Sequence, residues 1–350
     1  MKKPKNISFF ILLAFVVLVS SVACESFNDI AEVFPELNFD DTSDTSGTPD
    51  SHDAPDTSDG TADISQSHPP LLQAPAVSYV LMPVASGERV ERNSNAAIDY
   101  SNTTDGYVMV KWIADTSKEL RIRVIGPSEL AYTYRISPDD TFEVFPLTDG
   151  NGSYDVKAME QTPDGRYSVA LSANLSVDLK DEFVPFLHPN QFVNFDEESD
   201  VVGIAAQLSA GLETLPEKIA AVYQFVIKNI SYDMDLADAI KSGDVDSHIP
   251  DLDMIVATGK GICFDYSAVM AAMLRSQAIP TKMVFGHVDD VYHAWISVYS
   301  EETGWIESVI FFDGESWVLM DPTFASSSRT SAALNSFIGG GNKYTPKYQY

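Results

Sequence analysis

The clearest pattern in the chain is a period-two alternation of apolar and polar positions. Leu120-Arg121-Ile122-Arg123-Val124-Ile125 puts apolar and basic side chains on opposite faces, the pattern of a half-buried strand. Tyr107–Trp112, Tyr132–Ile136, Thr141–Phe145, Tyr154–Met159, Tyr167–Leu171 and Leu175–Leu179 extend the series. Pro138-Asp139-Asp140, Asp149-Gly150-Asn151-Gly152 and Pro163-Asp164-Gly165 separate the runs as turns. Short strands at this spacing predict a β-sandwich over 72–196, immunoglobulin-like in its strand number. No strand of this region carries a chemical constellation. It reads as scaffolding, with a spacer or substrate-docking module as the alternative.

Near Glu197 the period lengthens. Ile204–Leu212 and Pro216–Asn229 have helical spacing, and Ile219, Val222, Tyr223, Val226 and Ile227 fall on one face. Pro216 suits a first helical turn, and Glu217 lies near its positive end. The polar, Asp-rich stretch Asp233–Asp253 reads as a long surface loop. It lacks the ligand spacing and glycine of an EF-hand, so neither a metal nor a cofactor is expected. Gly259-Lys260-Gly261-Ile262-Cys263 then leads into an apolar helix over Phe264–Gln277. Strands follow at Thr281–Gly286, His293–Tyr299, Trp305–Phe312 and Trp317–Met320, with Asp313-Gly314 as a hairpin turn.

Charge changes the picture at the N-terminus. The formal net charge is -29, and residues 25 to 70 carry twelve Asp or Glu and no Lys or Arg. Such a segment buries too little apolar surface to offset its ordering entropy, so 24–71 is expected to be a disordered, self-repelling linker. Without clustered basic residues, nucleic acid is not an expected partner. Before the linker, Lys2, Lys3 and Lys5 precede a short apolar run, Ile7–Val19, and then small residues, as in an export signal over 1–23. Ser21-Val22-Ala23-Cys24 resembles a bacterial lipobox, with Ser21 where Leu is usual. It implies a lipid on Cys24 and attachment to the extracytoplasmic face of the membrane. The small residues at Ser21 and Ala23 equally suit ordinary signal peptidase, which would leave the protein secreted.

The cysteines point to chemistry. There are two, Cys24 and Cys263. With Cys24 lipidated, Cys263 has no partner in the chain, and a lone thiol in an exported protein is a candidate nucleophile. Cys263 follows two glycines and opens a helix, where peptide dipoles favour an anion; the thiolate is the nucleophilic form of cysteine. Of the six His, His52 and His68 fall in the acidic tract, His188 in the β-region and His248 in the polar loop, which leaves His287 and His293. His293 begins a strand, with Trp295 on the same face. Asp321 follows the apolar run Trp317–Met320 and precedes Pro322, so its carboxylate can orient an imidazole.

At these residues the chain resembles the transglutaminase-like domain of bacterial exported proteins. The resemblance runs through Asn229-Ile230-Ser231-Tyr232, Gly261-Ile262-Cys263-Phe264-Asp265-Tyr266, Ile279-Pro280 to Gly286, His293-Ala294-Trp295 and Asp321-Pro322-Thr323. It covers about 200 to 330 and leaves the β-region aside. It implies an α+β fold with a papain-like domain over 197–350, and a catalytic triad of Cys263, His293 and Asp321. The span from His293 to Asp321 is longer than the family usually has, and Asp313 is the alternative orienter. Tyr232 and the backbone N–H of Cys263 are candidate oxyanion donors. The expected activity is thioester-mediated hydrolysis of peptide or protein amides at the cell surface, as a cysteine peptidase. A transglutaminase, with an amine as acceptor in place of water, is the runner-up, and peptide or cell-wall binding without turnover is the alternative class.

Overall fold

The computed structural model describes residues 77–245, 247–288, 291–307, 311–312, 317–318 and 344–350. The expected signal and linker, the Asp313-Gly314 turn and Asp321 lie outside the described residues. So does Cys24.

The N-terminal half is built of strands: β1 (Val90–Arg92), β2 (Ala96–Asp99), β3 (Tyr107–Trp112), β4 (Leu120–Ile125), β5 (Ala131–Arg135), β6 (Glu143–Pro146), β7 (Gly152–Gln161) and β8 (Tyr167–Val177). Among the described residues they form two four-stranded antiparallel sheets, ordered β1-β2-β3-β6 and β5-β4-β7-β8. The alternation of β4 and β7 sends Leu120, Ile122, Val124, Tyr154, Val156 and Ala158 inward, to a core shared with Ile98, Val108, Val110 and Phe145 of the other sheet. The two runs expected over 167–179 are one strand. β8 is continuous, and its register against β7 shifts at Ala158/Met159, a bulge that takes up one residue.

Helices follow: α1 (Asp200–Ser209), α2 (Leu215–Asn229), α3 (Met234–Ser242), α4 (Leu252–Thr258) and α5 (Cys263–Arg275). Thr214 and Glu217 close a capping box at the start of α2, where the N–H of each residue donates to the other's side-chain oxygen. Helices occupy both ends of the expected loop over Asp233–Asp253. The Asp233 and Asp251 side chains accept from the N–H groups of Leu236 and Met254 and start α3 and α4. Gly243 and Gly259, both at positive φ, end them. These aspartates are caps rather than a solvated charge run. Inward-facing apolar residues in these helices are few: Ala237 and Ile240, Leu252 and Ile255.

Two residue pairs, β9 (Ser231–Tyr232) and β10 (Lys260–Gly261), run parallel side by side. The chain then forms β11 (Thr281–Val288), β12 (Val291–Ser300), β13 (Gly304–Ile306), β14 (Phe311–Phe312), β15 (Trp317–Val318) and β16 (Tyr344–Gln349). Among the described residues β13-β12-β11-β16 is an antiparallel sheet, and β14 pairs with β15. Every residue of α5 is buried, and the helix packs on β12, β11, α2 and α1. A helix buried on all sides sits at the centre of its fold, and α5 does.

The two halves share that core. Aromatic rings run from β5 to the start of α5: Tyr134 stacks on Phe192 at 5.7 Å, Phe192 meets Phe264 at 5.7 Å, and Phe264 meets Phe285 at 4.9 Å. At the other end of α5, Arg275 is fully buried. Its guanidinium donates to Thr281 O (2.9 and 2.7 Å), His188 O (2.7 Å) and Tyr350 O (2.7 Å). Burial pushes this group down to about 9, still cationic at neutral pH. No helix among the described residues is long and apolar enough to cross a membrane.

Candidate active site

Cys263 is the first residue of α5, so its N–H has no acceptor one turn back within the helix. The preceding backbone is fixed from both sides. Ser231 N donates to Gly259 O and Asp233 N to Gly261 O, each at 2.9 Å, which ties Ser231–Tyr232 to the approach to Cys263. The register sets Tyr232 opposite Gly261. Gly259 ends α4 at φ 63, and a Cβ there would lie 2.7 Å from Asn229 O. A Cβ on Gly261 would lie 2.6 Å from Asp265 Cβ. Both glycines of the Gly-Lys-Gly approach are therefore required sterically.

Asp265 caps this helix. Its Oδ2 accepts from Ile262 N at 2.8 Å, and its Oδ1 lies 2.6 Å from His248 Nε2. The carboxylate is 1% exposed. The Tyr266 hydroxyl donates to Ile230 O at 2.6 Å, and Ser267 Oγ donates to Cys263 O at 2.9 Å. The start of the helix is thus tied to the end of α2, to β10 and to the segment between α3 and α4.

His293 lies on β12 opposite Gly286 of β11, so no side chain crosses from the neighbouring strand. It is 5% exposed. The neighbouring residue on β12, Tyr292, stacks on Phe285, and its hydroxyl is raised above the usual tyrosine range. Burial is the main cause, and the Tyr348 and Cys263 charges add to it. The Tyr292 hydroxyl is therefore a group on β12 that neighbours Cys263, on the face opposite His293. Consecutive strand residues point to opposite faces, so Tyr292 and His293 leave β12 in opposite directions. Tyr292 joins the core that packs against α5, whereas Trp295 packs with Val284 and Tyr344 on the His293 face. His287, paired with Tyr292, is exposed.

Cys263 is 1% exposed, so carbonyl attack requires displacement of whatever covers the sulfur. His248 is the contact that the sequence did not reveal. It lies 17 positions from its carboxylate, in a segment without periodicity, and only the tertiary fold joins the two. Among the described residues no cluster of three or more His, Cys, Asp or Glu could hold a metal ion.

No curated protein sequence matches the chain significantly. Among solved structures it is similar to a candidate cysteine protease from Cytophaga hutchinsonii, at 14% identity over 70% of this chain and 76% of that one, with a TM-score of 0.34. It is also similar to red sea bream transglutaminase, at 13% identity over 63% of this chain and 48% of that one, with a TM-score of 0.27. A family model described as the transglutaminase-like superfamily matches residues 202–322. That segment contains Cys263, His293 and Asp321, and it is a domain of the transglutaminase-like superfamily.

Proposed function

We propose that this domain is a thiol acyl-transfer enzyme acting on peptide or protein amides, with hydrolysis as its first activity. The carrying observation is the placement of Cys263: first residue of a capped, central helix, inside the segment that the family model matches. Cys263 Sγ attacks the amide carbonyl, and the oxyanion receives the Cys263 N–H and the Tyr232 hydroxyl. The tetrahedral adduct collapses to a thioester as the C–N bond breaks and His293 gives its proton to the departing amine. Asp321 orients the imidazole. Water then attacks the thioester, and His293 takes its proton, releasing acid and free thiol. A lysine amine in place of water would make the same site a transglutaminase.

The burial of Cys263 and His293 favours a second reading, a peptide-binding domain without turnover. Alkylation by iodoacetamide separates the two, with the adduct located by mass spectrometry. The enzyme reading predicts that Cys263 reacts faster than a model thiol near neutral pH. It also predicts that Cys263→Ala abolishes amide turnover and that His293→Ala lowers it by about 10²–10⁴-fold. A rate no higher than the model thiol, unchanged by His293→Ala, would establish the binding reading.

We also infer that the protein is exported and held at the membrane by a lipid on Cys24, on the lipobox-like pattern alone. Mass spectrometry of the mature N-terminus should find a diacylglyceryl adduct on Cys24 and globomycin should block processing. An unmodified Cys24 would mean a secreted protein.

A further inference from the structure

The transglutaminase-like reading uses Cys263, His293, Asp321 and Tyr232 and leaves a second histidine–carboxylate pair beside the nucleophile unexplained. Asp265 is two residues past Cys263 and shares the first turn of α5. One oxygen is committed to the Ile262 N–H at 2.8 Å, the peptide immediately before Cys263. The other lies 2.6 Å from His248 Nε2. An ionised carboxylate only accepts, so Nε2 carries the hydrogen of this pair. The His248 ring also sits edge-on to Phe264 at 5.9 Å, the residue between Cys263 and Asp265. The side chains of the pair differ in exposure: 1% for Asp265 and 18% for His248.

We propose that His248 is a positioning residue for the nucleophile. It holds the Asp265 carboxyl in the orientation that caps Ile262 and offsets a buried negative charge beside the thiolate. The physical case has two parts. A buried carboxylate with one satisfied oxygen is free to rotate off its cap, and a second donor removes that freedom. A bare carboxylate next to a developing thiolate also opposes it by like-charge repulsion, which a donating imidazole reduces. His248 acts on Cys263 through Asp265, the Ile262 peptide and the Phe264 ring, and it arrives from the segment joining α3 and α4. Displacement of that segment would therefore loosen the start of α5 without touching the sulfur.

The proposal rests on Cys263 being the nucleophile, and the experiment separates the two claims. Iodoacetamide alkylation of Cys263 is measured in the full chain for the wild type, His248→Ala, His248→Gln, Asp265→Asn and the Ala/Asn double variant. All are measured below their melting temperatures. The expected result is a fall of about tenfold in His248→Ala, equivalent to one unit of differential charge stabilisation. His248→Gln, which keeps an N–H donor, should recover much of the rate. His248→Ala added to Asp265→Asn should cost little, because coupled residues are non-additive. Wild-type reactivity in His248→Ala, or additive losses in the double variant, would overturn the role of His248 while leaving the nucleophile intact. A wild-type Cys263 no faster than a model thiol would instead overturn the nucleophile.

Discussion

At the scale of single residues, His188 shows how a side chain can be structural in a protein that has other uses for histidine. Its Nδ1 contacts Leu81 O at 2.9 Å, its ring meets Tyr107 edge-on at 4.9 Å, and its own carbonyl accepts from buried Arg275. Its Nε2 has no hydrogen-bond partner among the described residues. Burial lowers its pKa below the ordinary histidine value. The folded state then binds fewer protons than the unfolded state, so this contribution is fully present above about pH 6.5. It is lost as pH falls from there through the depressed folded value. The melting temperature should therefore drop between pH 7 and pH 5. His188→Asn, which can keep a donor to Leu81 O, should flatten that drop; an unchanged slope would mean that other groups cause it. The sequence located His188 in the β-region without exposing this role, because its partners lie at positions 81, 107 and 275.

At the scale of elements, strands were legible wherever one face was buried and the other wet. β4 runs over the residues that its alternation predicted, and β3, buried on both faces, over an apolar run. β1 is wholly exposed and β2 wholly buried, so neither alternates and neither was predicted. β16 was hidden by Pro346, a residue that argues against a strand interior. There it faces Gly286 next to a shift in register, where the ladder is already interrupted. α3 and α4 were missed because short helices rich in capping Asp look like polar loops. The helix after Cys263 was legible, as was the need for glycine before it. Gly261→Ala tests that need. Its Cβ would drive into Asp265 and displace the cap, which costs about 0.5–2 kcal/mol when lost. Denaturant melts should show a loss of that order, and Cys263 alkylation should slow with it. A variant that keeps full stability and reactivity would mean that Asp265 has room to shift.

At the scale of the molecule, fold class followed from two texture changes along the chain. The junction between the halves did not, because it is made of aromatic and buried polar contacts that carry no period. Tyr132 and Tyr134 of β5 meet Tyr350 at 5.4 and 5.7 Å, and Tyr79 N donates to Ser276 O at 2.6 Å. The strand-rich half therefore braces the central helix at both ends, through Phe192 on Phe264 beside Cys263 and through Tyr79 and His188 at the far end. The family match covers 202–322, and the residues tied to the start of α5 come from separate elements within it, at 230–233, 248 and 292.

The pairing of β16 with β11 has a consequence for biogenesis. Residues 344–350 close the sheet edge at 283–288, and the Gln349 amide reaches back to the Tyr132 hydroxyl, 217 positions upstream. Contacts at such separation make folding slow, since a long loop must close before they form. Until this segment docks, a folding chain presents an unfinished sheet edge with its Phe285 and Tyr292 rings unshielded.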